Sequence, residues 1–142
     1  MRGDRSSRAF RPWVFVGYFL IFAVAAVIAM GYTSPDSRIA GLEAAVPGFY
    51  DHASNLVLSC GLVLIYAMVR LLYGARLREI TAFTLIVLAA NYLYEGLLTL
   101  WNTLDLADAH YGAVGALVTW AFFAAVSRFG MKPAASPRGA GG

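Results

Sequence analysis

Trp13 to Tyr32 reads WVFVGYFLIFAVAAVIAMGY, a run without a single charged residue. A helix needs ~20 mostly apolar residues to cross the hydrocarbon layer of a bilayer, and this run supplies them. Three more stretches share its character: His52 to Tyr73, Leu77 to Trp101, and Ala109 to Phe129. They are joined by residues 33–51, a turn at 74–76, and residues 102–108. The last two connections are short, so the second, third and fourth spans read as antiparallel neighbours. The expected fold is all-α and polytopic: a four-helix transmembrane bundle over 13–129, a basic N-terminal segment 1–12, and a tail 130–142. The tail is rich in Ala, Pro and Gly and reads as disordered. The first run exceeds the ~7–15 apolar residues of a signal-peptide core and reads as a retained span.

Composition agrees with the spans. The chain has 142 residues, 60% hydrophobic and 13% charged, with a mean hydropathy of +0.66. Soluble domains carry roughly 25% charged residues, and a short soluble chain could not bury this much apolar surface. A cytosolic enzyme, a nucleic-acid-binding module and a secreted disulfide scaffold are therefore excluded. The single cysteine, Cys60, rules out an intramolecular disulfide and a thiolate zinc cluster.

Charge placement orients the chain. Arg2, Arg5, Arg8 and Arg11 precede the first span; Arg70, Arg76 and Arg78 surround the 74–76 turn; Arg128, Lys132 and Arg138 follow or end the fourth span. Only Arg38 lies in an opposite loop, among the acids Asp36, Glu43, Asp105 and Asp108. Basic loops stay in the cytoplasm, so both termini are expected there. Within 33–51, Ser34-Pro35-Asp36 is a helix-start signature. Ile39, Leu42 and Val46 then recur at helical spacing until Pro47-Gly48, which predicts a short amphipathic helix on the outer interface.

Polar residues inside spans are expensive, so the faces they share are informative. Thr84, Asn91, Glu95, Thr99 and Asn102 fall on one face of the third span. His52, Asn55, Ser59, Tyr66 and Arg70 form a stripe on the second, and Asp108, Tyr111, Gly112, Gly115 and Thr119 begin the fourth. The outer third of the bundle is thus expected to gather Asp51, His52, Asn55, Asn91, Glu95, Asn102, Asp105, Asp108, His110 and Tyr111. Plainer roles exist for several of them. Glu95 with Asn91 suits an interhelical clasp of about 1 kcal/mol, Asp105 and Asp108 suit helix capping, and the two histidines suit interfacial positions. No third-ligand motif accompanies the histidines, so neither a metal nor another cofactor is expected.

The order of these features resembles VanZ-like membrane proteins, small polytopic proteins associated with teicoplanin and other glycopeptide resistance. The likeness rests on Asp51 opening the second span, Glu95 in the outer part of the third, and Asp105-Leu106-Ala107-Asp108 feeding a helix with Gly112 and Gly115. The sequence departs from that pattern at His52, Asn55 and Gly112, where the family usually carries Lys, His and Asn. The resemblance implies a cell-envelope protein of the bacterial cytoplasmic (inner) membrane. Its expected role is an outward acidic pocket that binds a lipid headgroup, a lipid-linked precursor or a glycopeptide, with Asp51, Glu95, Asp105 and Asp108 as charges and Asn55, Asn91, Asn102 and Tyr111 as hydrogen-bonding groups. Alternatives are a non-catalytic accessory subunit of a larger membrane complex or a homo-oligomer, suggested by small-residue spacings at Ala25/Ala29, Gly112/Ala116 and Ala121/Ala125, and a proton-coupled transporter with Glu95 as carrier. No nucleophile–base pair or nucleotide loop is present, so no enzyme is expected.

Overall fold

The structure, a computed structural model, describes residues 8–97 and 105–133. Apart from one short strand pair, the regular elements are helical: β1 (Arg8–Phe10), α1 (Pro12–Thr33), a 3-10 turn at Pro35–Ser37, α2 (Ala40–Ala45), α3 (Phe49–Leu72), α4 (Leu77–Leu97), α5 (Leu106–Ala125) and β2 (Met131–Pro133). A π-helical turn, Val126–Gly130, extends α5. Among the described residues, three helices are long and apolar enough to cross a membrane: α1, α3, and α5 with its extension. The third expected span, Leu77 to Trp101, corresponds to α4, of similar length but carrying Arg78, Glu79, Asn91 and Glu95.

Local chemistry sets the helix ends. Pro12 opens α1, where its missing amide proton is not needed. At the end of α3, Gly74 takes φ 77°, which only glycine adopts without strain. Its amide donates to Leu71 O at 3.0 Å and that of Ala75 to Arg70 O at 2.9 Å, satisfying carbonyls the helix leaves open. Asp105 caps α5 by accepting from the Ala107 amide at 2.9 Å, which starts the helix at Leu106 rather than at the expected Ala109.

Helix α3 is the central element, packed against α1, α4 and α5. Contact with α5 is close because Gly115 lies against the Leu56 carbonyl. Gly112 likewise receives the Asn91 side chain of α4. The small residues Ala25, Gly112, Gly115 and Ala116 are therefore buried within the chain itself. Polar side chains are paired across the seams. Asn91 Nδ2 of α4 donates to Ser59 Oγ of α3 at 2.9 Å, and Thr119 Oγ1 of α5 donates to Cys60 Sγ of α3 at 3.2 Å; each also donates to a carbonyl one turn back in its own helix. Large apolar side chains such as Phe19, Leu58, Leu85 and Val118 face outward, as a lipid-exposed surface requires.

Two expectations are corrected. The tail 130–142 is not structureless throughout: its β2 pairs antiparallel with β1, Ala9 standing opposite Lys132, and Arg11 N donates to Gly130 O at 2.8 Å. Phe10 is thereby buried against Val14, Phe123 and Val126, and this burial is what orders the pair. The loop helix, expected as one run from Pro35, is split at Arg38-Ile39. Tyr50 causes the break: its hydroxyl accepts from the Ile39 amide at 3.0 Å, and its ring lies 5.2 Å from the Arg38 guanidinium carbon.

Chain direction sorts charge to the two ends of the bundle. Arg11, Arg70, Arg76, Arg78, Arg128 and Lys132 collect at one end; Asp36, Glu43, Asp51, Asp105 and Asp108 collect at the other.

Candidate functional site

The first turns of α3 and α5 meet at the acidic end. His52 follows the αL residue Gly48 into α3, and Asp105 and Asp108 stand at the cap and in the first turn of α5. His52 Nδ1 lies 2.8 Å from Asp108 Oδ1 and 3.6 Å from Asp105 Oδ2. A carboxylate accepts and does not donate, so the Nδ1 proton is the one shared with Asp108. The other Asp105 oxygen is engaged in the helix cap. Side-chain exposure is 24% for His52, 45% for Asp105 and 27% for Asp108, so the cluster is open on one side and supported on the other.

An aromatic wall flanks it. The Tyr111 ring is 5.3 Å from the His52 ring and 5.6 Å from Phe49, and Phe49 packs edge-on to Tyr50 at 5.3 Å. Phe49 was not among the residues selected from sequence. Its position before Asp51-His52 was legible, but its contact with Tyr111 depends on α5 arriving beside α3.

The remaining expected residues divide into those near this cluster and those used elsewhere. Asn55 is half-buried one turn along α3 from His52. Asp51 is exposed at the same end and its carboxylate lies by Gly48, on the loop side rather than against His52. Asn91 is committed to Ser59 and the α4 backbone, about 10 Å along α3 from His52 at ~1.5 Å per residue. Of the interhelical clasp expected from Asn91 and Glu95, Asn91 makes its part, to Ser59 of α3. Glu95 is half-buried on the same face of α4, one turn closer to the acidic end, without a hydrogen-bond or ion-pair partner among the described residues. Asn102 lies outside the described residues. His110 turns away: its Nδ1 lies against the Leu106 carbonyl of its own helix, and its ring is 5.8 Å from Tyr92. The two histidines do not converge.

His52 meets two carboxylates instead of the second histidine. Atoms of His52, Asp105 and Asp108 lie within 4.8 Å of one another, close enough to surround one cation. Carboxylate oxygens beside an imidazole suit either a divalent ion or an ammonium group. Comparison of the chain with family models, with curated proteins and with solved structures finds no match.

Proposed function

We propose that this chain is a VanZ-like protein of the bacterial cell envelope, crossing the inner membrane four times with both termini cytoplasmic. Its acidic end binds the cationic group of a membrane-bound ligand: an amine-bearing lipid headgroup, a lipid-linked precursor or a lipophilic glycopeptide. The observation that carries the reading is the His52–Asp105–Asp108 cluster, where two carboxylates face one imidazole nitrogen at 2.8 and 3.6 Å. Such a group presents net negative charge with His52 neutral or protonated, in a partly dry setting where Coulomb attraction exceeds its value in water. Phe49 and Tyr111 add aromatic faces that attract cations. Glu95 supplies a further carboxylate on the neighbouring helix.

Two features support α4 as a span beside α1, α3 and α5. Its 21 residues give about 30 Å at ~1.5 Å per residue. Its polar groups turn inward, Thr84 being buried and bonded to Ile80 O and Asn91 bonded to Ser59, while Leu85, Ile86 and Leu93 are exposed. The orientation is supported by the six basic residues gathered at the opposite end, in line with the positive-inside rule.

Binding of phosphatidylethanolamine to the chain in nanodiscs, set against phosphatidylglycerol, tests the reading. Asp108→Asn is expected to weaken phosphatidylethanolamine binding about tenfold, the usual worth of a charge-assisted hydrogen bond. Teicoplanin tolerance conferred on a susceptible host and lost in Asp108→Asn tests the glycopeptide arm. Unchanged binding and tolerance in the Asp105→Asn/Asp108→Asn variant would overturn it.

A further inference from the structure

The basic end holds a second feature, independent of the acidic cluster. A cleft of about 620 Å³ opens between the α3–α4 turn and the end of α5. Arg76 lines it from the turn and Arg128 from the π-helical extension of α5. Both are exposed, and among the described residues neither forms an ion pair. The nearby acid, Glu79, is already taken: its Oε2 lies 2.5 Å from Arg70 Nη2. Ser127, also in the lining, has its Oγ buried with no hydrogen-bond partner among the described residues. A buried hydroxyl left unmatched costs free energy unless something in the cleft completes it. Much of the remaining wall is apolar, including Leu71, Ala124 and Phe129.

We infer that this cleft binds the phosphate of an anionic phospholipid. Arg76 and Arg128 neutralise the phosphate, the Ser127 hydroxyl donates to one of its oxygens, and the apolar wall receives the glycerol and first acyl carbons. Charge complementarity selects an anion. The apolar wall, continuous with the exposed Leu72 and Phe129 at the bundle surface, selects a lipid over a free ion. The amino terminus of α4 at Leu77 opens onto the same space, and its dipole adds to the attraction. The π turn has a role in this geometry. One extra residue per turn displaces Ser127 and Arg128 from the α-helical path, and such turns recur at binding sites.

The test is native mass spectrometry of the full chain in neutral detergent with phosphatidylglycerol, phosphatidylcholine or inorganic phosphate. Wild type is expected to prefer phosphatidylglycerol to phosphatidylcholine, and Arg76→Gln/Arg128→Gln to lose about 30-fold of that preference, from two interfacial arginines. Ala75→Trp, which fills the cleft while keeping every charge, is expected to abolish it too. It also provides the result should the double variant fail to fold. Arg78→Gln, outside the lining, is expected to retain it. An equal loss in Arg78→Gln, or a preference surviving Ala75→Trp, would mean diffuse surface charge and overturn the site. Displacement of the lipid by millimolar inorganic phosphate would overturn the lipid assignment. Asp108→Asn is expected to leave this preference intact, which separates the outcome from that of the acidic end.

Discussion

Gly115 shows how much of this protein is decided by single atoms. A Cβ there would run into the Leu56 carbonyl oxygen, a backbone atom that cannot rotate away. Gly115→Ala is therefore expected to push α5 off α3 and destabilise the chain by about 1–3 kcal/mol, the range for overpacking; the gain in helix propensity, up to about 1 kcal/mol, offsets only part. Unfolding of the reconstituted protein in increasing dodecyl sulfate measures this. Gly61, with nothing within 4 Å of an added Cβ, is the control: Gly61→Ala is expected to be neutral or stabilising. The same residue-scale logic separates Asn91 from Glu95. Both lie on one face of α4, but Asn91 has its partners inside the bundle, whereas Glu95 has no hydrogen-bond or ion-pair partner among the described residues.

At the scale of elements, the loop between α1 and α3 is held by Tyr50. The Tyr50 ring is buried against Gly31, its hydroxyl takes the Ile39 amide, and Arg38 reaches from beside the ring to the Gly31 carbonyl at 3.3 Å. Helix α2 is six residues long, too short to persist without such support. Tyr50→Phe keeps the ring and removes the hydroxyl, leaving the Ile39 amide without its acceptor at a cost of about 1 kcal/mol. Faster hydrogen exchange is expected over residues 35–46, with exchange in α3 and α5 unchanged. Slowed or unaltered exchange in the loop would show that the hydroxyl does not hold it. This matters for the acidic end, because Tyr50 and His52 share the first turn of α3 and Phe49 connects Tyr50 to Tyr111.

The whole molecule is electrically polar along its long axis, and this makes its topology testable. Cys60 is buried, so a Cys60→Ser background gives a silent reference. Cysteines introduced at Ser37 and at Ala75 sit at opposite ends of the bundle, in the α1–α3 loop and in the α3–α4 turn. In intact cells an impermeant maleimide is expected to label Ser37→Cys and to spare Ala75→Cys until the membrane is opened. Labelling of both from outside would remove α3 as a span, and labelling of Ala75→Cys alone would reverse the orientation.

Much of this was legible in the sequence because it depends on local order alone. An apolar run of ~20 residues specifies a helix that lipid accepts, since every backbone group is satisfied within it. The arginines near the 74–76 turn and the acids of the 33–51 and 102–108 connections follow from chain position, and the separation of charge to two ends follows with them. Helical spacing also placed His52 and Asn55, or Asn91 and Glu95, on common faces. It could not say which helix each face would meet. That was decided by packing: Gly112 and Gly115 let α5 approach α4 and α3 closely enough for Asn91 to reach Ser59 and for Asp108 to reach His52. The pairing of β1 with β2 was likewise invisible, because it joins the two ends of the chain and exists only once Phe10 has the Val14–Phe123–Val126 surface to cover. Spans and charge are properties of segments; the His52–Asp105–Asp108 cluster is a property of their contact, set by the space that glycine leaves between helices.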